Sequence, residues 1–433
     1  MRILHVNKFL HRRGGAEAYM EDVAGLQRGN GHRVAFFAMA HPDNRASEFE
    51  RHFPSRVELN PPPRSLHGRA VAVGRMLHSP SARRGIEAVL EEFRPDVVHL
   101  HNVYHQLSPS ILRPLKRRGV PAVMTLHDYK LACPTYRLLD HGEVCTACVG
   151  MRFHNAVLRR CEGGSLGASA VLALELTLHT LSGAYDPVGL FICPSDFMAR
   201  TMRAAGVFPD RLRTLRHFAN TADVAVRSGA GDGVVFAGRL SAEKGVDVLV
   251  EAVANHPAAV LEVLGDGPDR GALEALAARR APGRIRFHGA VPKRRVEEMI
   301  RAARVVAVPS RWHENQPMIV LEAFACGVPV VATTLGGLPE LVEPGVDGLL
   351  VSAGSAPALA EAVAALLDDP ARAVRMGAAA RRKAERHFRP ADHLDGLDLL
   401  YAEAGERLRA QRRSAPALGT TDAGRPADAT ARR

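Results

Sequence analysis

Residues 305–332 read Val305-Val306-Ala307-Val308-Pro309-Ser310-Arg311-Trp312-His313-Glu314-Asn315-Gln316-Pro317-Met318-Ile319-Val320-Leu321-Glu322-Ala323-Phe324-Ala325-Cys326-Gly327-Val328-Pro329-Val330-Val331-Ala332. An apolar run, Val305 to Val308, stops at Pro309, and a polar loop holding Glu314 follows. From Met318 the apolar residues take helical spacing, and past Gly327 a second Val-rich run begins. A strand covered by helices on both faces has no solvent side to alternate toward, so it reads as a continuous apolar run. The segment is therefore a strand, helix and strand of a parallel sheet.

The same unit recurs outward in both directions. Ile3 to Val6, Val34 to Phe37, Val97 to Leu100, Ala122 to Leu126 and Leu190 to Cys193 are strand-like runs in the first half. Val234 to Ala237, Val260 to Leu264 and Ile285 to Phe287 precede the quoted segment in the second. Each is followed by helical periodicity, which predicts an α/β protein of two doubly wound Rossmann-like domains facing each other across a cleft. The chain's 433 residues fit two domains at roughly 100 to 200 residues each. Asn220, Ser228, Gly229, Gly231, Asp232 and Gly233 break the periodicity, which places domains at 1–216 and 234–388 with a linker at 217–233. A helix at 389–411 and a disordered tail at 412–433 complete the expected order.

Composition narrows the function. With 46% hydrophobic and 24% charged residues, collagen-like and disordered readings fail. The 57 basic against 46 acidic residues give a charge of +11, read as a solvated basic surface or as attraction for anionic lipid or substrate. Nucleic acid is not expected as a partner, because the arginines are dispersed and only 5% of residues are aromatic. Met1-Arg-Ile-Leu-His-Val opens directly as a strand, so a cytoplasmic location is expected. The apolar segment Ala168 to Leu181 falls well short of the roughly 20 residues a spanning helix needs.

Several groups can carry chemistry. The spacing Glu314-x7-Glu322 puts one carboxylate in a loop and the other in the first turns of a helix. There the amides of Asn315, Gln316 and Met318 are free to meet sugar or phosphate oxygens, Pro317 having none. Arg239 and Lys244, beside Gly238 and Gly245 at a strand's carboxyl end, suit a diphosphate, the rival reading being an exposed basic turn. Gly14-Gly15 opens a helix and reads as a phosphate approach or merely a tight turn. His127, just past an apolar strand, is by itself more readily structural than functional. Cys133, Cys145, Cys148 and Cys161 follow C-x11-C-x2-C-x12-C, which allows a structural zinc, reduced buried thiols or a redox pair.

Taken together, Gly14-Gly15-Ala16-Glu17, Val98-His99-Leu100-His101-Asn102, Thr125-Leu126-His127-Asp128, Gly238-Arg239-Leu240 with Lys244-Gly245, Leu264-Gly265-Asp266-Gly267 and the Glu314 to Glu322 segment resemble the retaining family 4 glycosyltransferases of GT-B architecture. The resemblance runs from Met1 to about Leu408. It implies transfer of a sugar from a nucleotide-diphosphate donor to an acceptor hydroxyl of a glycan or lipid-linked substrate, with retention and without a catalytic metal or other cofactor. It implies that Arg239 and Lys244 hold the diphosphate and that Glu322 binds the ribose. Glu314, with the Asn315 to Met318 backbone, would hold the sugar, and His127 would sit near the reacting carbon. The family's C-terminal helix returns to the N-terminal domain, which binds acceptor through loops including an insert at 133–181. Asn315-Gln316-Pro317 departs from the Gly-containing sequence of many members. A nucleotide-sugar 2-epimerase and a non-catalytic sugar-nucleotide binder are the rival functions.

The last expectation concerns lipid. Val171, Leu174, Leu178 and Leu181 form a stripe at helical spacing. A broad stripe is usually buried, so it is expected to pack into the first domain, peripheral contact with an anionic cytosolic leaflet being the alternative.

Overall fold

The computed structural model describes residues 1–57 and 63–414. The first domain runs β1 (Arg2–Val6), β2 (Arg33–Phe37), β3 (Val97–Leu100), β4 (Ala122–Thr125), a small hairpin of β5 (Leu139–Asp140) and β6 (Glu143–Val144), β7 (Leu190–Cys193) and β8 (Leu212–Thr214). The second runs β9 (Val234–Ala237), β10 (Leu261–Leu264), β11 (Ile285–Gly289), β12 (Val305–Val308), β13 (Val330–Thr333) and β14 (Gly348–Val351). Two six-stranded sheets result, ordered β2-β1-β3-β4-β7-β8 and β11-β10-β9-β12-β13-β14. All pairings within them are parallel.

Burial on both faces explains the apolar runs. Leu4 and Val6 point into one core of the first sheet and Ile3 into the other. Val234 and Phe236 likewise oppose Val235 across the second sheet. The strand order reverses direction beside β1 in the first sheet and beside β9 in the second. Such switch points open a crevice at the strands' carboxyl ends, where ligands bind. The loops after β1, β3, β4, β9 and β12 all lead there.

Between the domains, Phe218 packs into the first domain's core and its neighbour Ala219 into the second's. The following segment lies against the second domain: Ala219 N–H donates to Phe388 O (2.8 Å), and Arg227 N–H to Cys326 O (3.0 Å). The Pro390–Ser414 helix then returns to the first sheet, burying Leu397, Tyr401 and Ala404 against Ile3, Val123 and Leu190. It takes in Arg412, Arg413 and Ser414; the rest of the expected tail lies outside the described residues.

One expectation is overturned. The Leu166–Leu181 helix buries Leu172, Ala173, Glu175, Leu176 and His179, whereas Leu174, Leu178 and Leu181 are 51%, 43% and 79% exposed. The helix is apolar nearly all round, so its face is chosen by partners of its polar groups. Glu175 turns inward because Lys130 Nζ (2.8 Å) and His105 Nδ1 (2.7 Å) meet its two oxygens. Among the described residues, no helix is long and apolar enough to cross a membrane.

Candidate functional site

The second-domain half of the cleft is built by two loops locked together. Gly245 (φ +68°) starts the Val246–Ala254 helix, and a Cβ there would lie 2.1 Å from Pro309 O, so only glycine lets the β9 loop close on the β12 loop. That closure brings Lys244 to Glu314: Nζ donates to Oε1 at 2.7 Å, and Ser310 Oγ donates to the same oxygen at 2.6 Å. The Lys244 ammonium also stands 5.0 Å from the Trp312 ring centre. Arg239 turns toward solvent and donates to Glu243 Oε1 (2.6 Å). The two expected diphosphate ligands are thus each held by a carboxylate, Lys244 by the very residue expected to hold the sugar.

The Met318–Ala325 helix begins where the sequence places it, with Pro317 at its cap. Glu322, in its second turn, has its carboxyl pushed up from 4.5, chiefly by burial, with Lys293 partly opposing. Opposite stands the Gly15–Gly29 helix: a Cβ on Gly15 would come 4.0 Å from Met318 Cγ, so two helix starts face each other across the cleft. Each presents unpaired amides and the positive end of its dipole. Gly14 is extended at that junction, not left-handed.

Contacts join the halves. Asn315 Nδ2 donates to His127 O (2.7 Å), Lys293 pairs with Asp22 (3.1 Å), and Glu340 accepts from the amides of Asp196 (2.8 Å) and Phe197 (2.6 Å). The Gln316 side chain is engaged elsewhere. Its Oε1 accepts from His217 N–H, so the side chain grips the linker, leaving only backbone for a donor.

Polar atoms without partners gather at this seam. Trp312 Nε1, His313 Nδ1, Asn315 Oδ1, His217 Nδ1 and Tyr129 Oη are all buried and find no hydrogen-bond partner among the described residues. An unpaired buried polar group costs about 1–3 kcal/mol, so five around one loop mark a place that a hydroxyl-rich ligand would complete.

Sequence reasoning missed most of the first-domain side. Lys8 is half-buried over the rings of Tyr104 (5.2 Å) and Phe9 (6.0 Å), and its ammonium is pulled below 10.5 by desolvation, with Asp128 and Glu17 opposing. The Tyr104 hydroxyl lies within hydrogen-bond reach of Asn102 Oδ1 (3.0 Å) and of the Asp128 carboxylate, its single proton going to one of them. A narrow crevice is lined by Asn102, Tyr104, His127, Asp128 and Lys130. His127 itself has its pKa lowered to about 3 by burial, so it is neutral and cannot serve as a proton donor in imidazolium form. Its Nε2 lies 3.0 Å from His101 Nδ1.

The four clustered cysteines are free thiols in the hairpin lobe. Cys148 is pushed up to about 12 and Cys161 to about 11, by burial first. Cys145 Sγ accepts from Ala147 N–H (3.4 Å). Among the described residues, the groups with three ligand atoms within 4.8 Å of one another are His5–His99–His101 and His11–His41–Asp43, not the cysteines.

The family described as Glycosyl transferases group 1 matches residues 229–383, and that described as Glycosyltransferase Family 4 matches 13–223. A D-inositol 3-phosphate glycosyltransferase of Xylanimonas cellulosilytica is 40% identical over 184 residues, which cover 41% of this chain and 44% of that protein. The chain thus spans less than half the length of that relative. D-inositol 3-phosphate glycosyltransferase 1 of Catenulispora acidiphila is 31% identical over 353 residues, 74% of this chain and 72% of its own. The solved structure of Anabaena HepE in complex with UDP and glucose aligns with a TM-score of 0.65 at 19% identity, covering 93% of this chain and 99% of that one, a likeness of fold.

Proposed function

The chain belongs to the group 1 glycosyltransferases of GT-B fold, and from that premise we propose that it transfers a sugar from a nucleoside-diphosphate donor to an acceptor hydroxyl with retention at the anomeric carbon. The observation that carries this reading is the set of five unpartnered polar atoms at 129, 217 and 312–315, beside two facing helix starts. Sugar hydroxyls supply partners for the former, and diphosphate oxygens suit the latter.

These pairings give each residue a task. A diphosphate competes with Glu314 for Lys244; once Lys244 turns to phosphate, Glu314 is released to accept from sugar hydroxyls. As the bond to the diphosphate loosens, Lys244, Arg239 and the amides at Met318 stabilise the charge on the leaving group. Positive side chains and helix amides fill the role a divalent ion has elsewhere. A leaving-group oxygen takes the acceptor's proton, so His127, held neutral, is assigned to hydrogen bonding with the donor sugar rather than proton transfer.

Peripheral lipid contact is part of the proposal. Leu166, Leu174, Leu178 and Leu181 are exposed on one helix, and the flanking segments carry exposed Arg69, Arg152, Arg159 and Arg160. Apolar side chains that insert and arginines that meet anionic headgroups form the two-part signal of an interfacial helix.

The direct test is a panel of UDP and GDP sugars with purified protein, scoring nucleotide release with and without hydroxyl acceptors. Nucleotide release from at least one donor is expected. Release of free epimerised sugar with no acceptor present would instead make the chain an epimerase, and no binding of any nucleotide sugar would refute the donor site.

A further inference from the structure

Behind His127 runs an unbroken line of buried hydrogen bonds. His127 Nε2 meets His101 Nδ1 at 3.0 Å, and His101 Nε2 meets His5 Nδ1 at 3.0 Å. His5 Nε2 meets Gln27 Oε1 at 2.7 Å, and Gln27 Nε2 meets Tyr401 Oη at 2.9 Å. Tyr401 Oη meets His99 Nδ1 at 2.8 Å, and His99 Nε2 meets Thr125 Oγ1 at 2.7 Å. The line ends there; nearby, the Tyr19 hydroxyl reaches His393 Nε2 at 2.9 Å and His393 Nδ1 meets the carbonyl of Arg216 at 2.8 Å.

This arrangement accounts for the His5–His99–His101 cluster. Both nitrogens of each ring are already hydrogen-bonded, so none offers a lone pair to a metal ion. The rings are uncharged as well: burial lowers His5 to about 4, and His99 and His101 well below 6.5. A neutral imidazole has one N–H and one lone pair, so each ring must pass on the direction it receives.

A carboxamide oxygen only accepts and its nitrogen only donates, so the Gln27 side chain fixes the direction. At the far end Thr125 accepts from His99 Nε2–H. His99 Nδ1 accepts from Tyr401, Tyr401 from the Gln27 amide, and Gln27 Oε1 from His5 Nε2–H. His5 Nδ1 accepts from His101 Nε2–H, and His101 Nδ1 from His127 Nε2–H. Every proton is used once.

We infer that Gln27 and Tyr401 are positioning residues that lock His127 in its Nε2–H tautomer, so that Nδ1 stands as a permanent hydrogen-bond acceptor for a donor-sugar hydroxyl. The sugar half of this statement rests on the proposed function; the tautomer half does not. Tyr401 lies on the C-terminal helix, which thereby sets the chemistry of a ring in the cleft.

The test is long-range proton–nitrogen correlation on full-length protein labelled at histidine, with His127 assigned by its loss in His127→Asn. In the unsubstituted protein His127 is expected to show a pyrrole-type Nε2 and a pyridine-type Nδ1. In Tyr401→Phe, which cuts the line between Gln27 and His99, the two nitrogens are expected to move toward averaged values. In the same variant kcat/KM should fall roughly tenfold, about one hydrogen bond's worth, with nucleoside-diphosphate affinity unchanged. A pyrrole-type Nδ1 in the unsubstituted protein overturns the inference whether or not Tyr401→Phe folds, and so does an unaltered His127 signature in folded Tyr401→Phe. If no nucleotide sugar is turned over, the proposed function fails while the nitrogen signals still decide the tautomer.

Discussion

Replacing Glu175 by Gln removes one charge from the most deeply buried ion pair near the cleft. Glu175 is fully buried and Lys130 2% exposed, with Nζ to Oε2 at 2.8 Å. Burial alone would raise the Glu175 carboxyl, yet Lys130 and then His105 outweigh it and hold the pKa at about 2 against an ordinary 4.5. A fall of about 2.5 pH units corresponds to about 3 kcal/mol of preference for the ionised, folded form. Because the folded-state pKa is depressed, this contribution is fully present above about pH 4.5 and is lost as pH falls toward 2. Gln keeps the shape and an acceptor for Lys130 but leaves its ammonium without a counter-charge. The variant is expected to lose about 3 kcal/mol at pH 7, read from urea unfolding with unchanged slope, and the gap from the unsubstituted protein should narrow between pH 4.5 and 3. A loss under about 1 kcal/mol at pH 7, or a gap that does not change with pH, would refute the reasoning.

Three further outcomes follow from the geometry. Lys244→Ala is expected to weaken nucleotide-sugar binding about tenfold or more by calorimetry, and Arg239→Ala less, since Arg239 is 58% exposed and screened. Glu314→Gln should lower turnover more than nucleoside-diphosphate affinity and Glu322→Ala the reverse, so equal effects on nucleotide affinity would contradict the division of roles. Leu174→Glu with Leu178→Glu should abolish co-sedimentation with anionic vesicles at low salt without lowering the urea midpoint, and binding indifferent to lipid charge and salt would reject the lipid contact.

What the sequence made legible was what is local or buried on both sides. Val97–Leu100, Leu190–Cys193, Val234–Ala237 and Val305–Val308 are strands to the residue, because central parallel strands leave unbroken apolar runs. The edge strands β8 and β14 escaped: Leu212-Arg213-Thr214 is too short and polar, and Gly348 opens the other. The loops holding Lys244 and Glu314 were readable because each is contiguous. The line behind His127 was not, since Gln27 and Tyr401 are 374 residues apart. One signal was available: pairing of β1 with β3 sets His5 opposite His99, so adjacent strands at a switch point each bring histidine to the same depth. The exposed face of Leu166–Leu181 was misjudged because periodicity cannot orient a helix whose few polar groups have partners elsewhere in the sequence.

The chain crosses between the domains twice, and Ala219 N–H to Phe388 O ties the two crossings into one knot. Among the described residues no apolar core spans that knot: Phe218 and Ala219, though consecutive, belong to different cores. Swinging the domains apart about it breaks the bonds from Asn315, Lys293 and Glu340 but leaves both cores intact. Heat capacity reports chiefly apolar surface gained or lost to water. A hinge motion about the knot would therefore carry only a small heat-capacity change, and calorimetry of donor binding across temperature would read mainly the ligand's own burial.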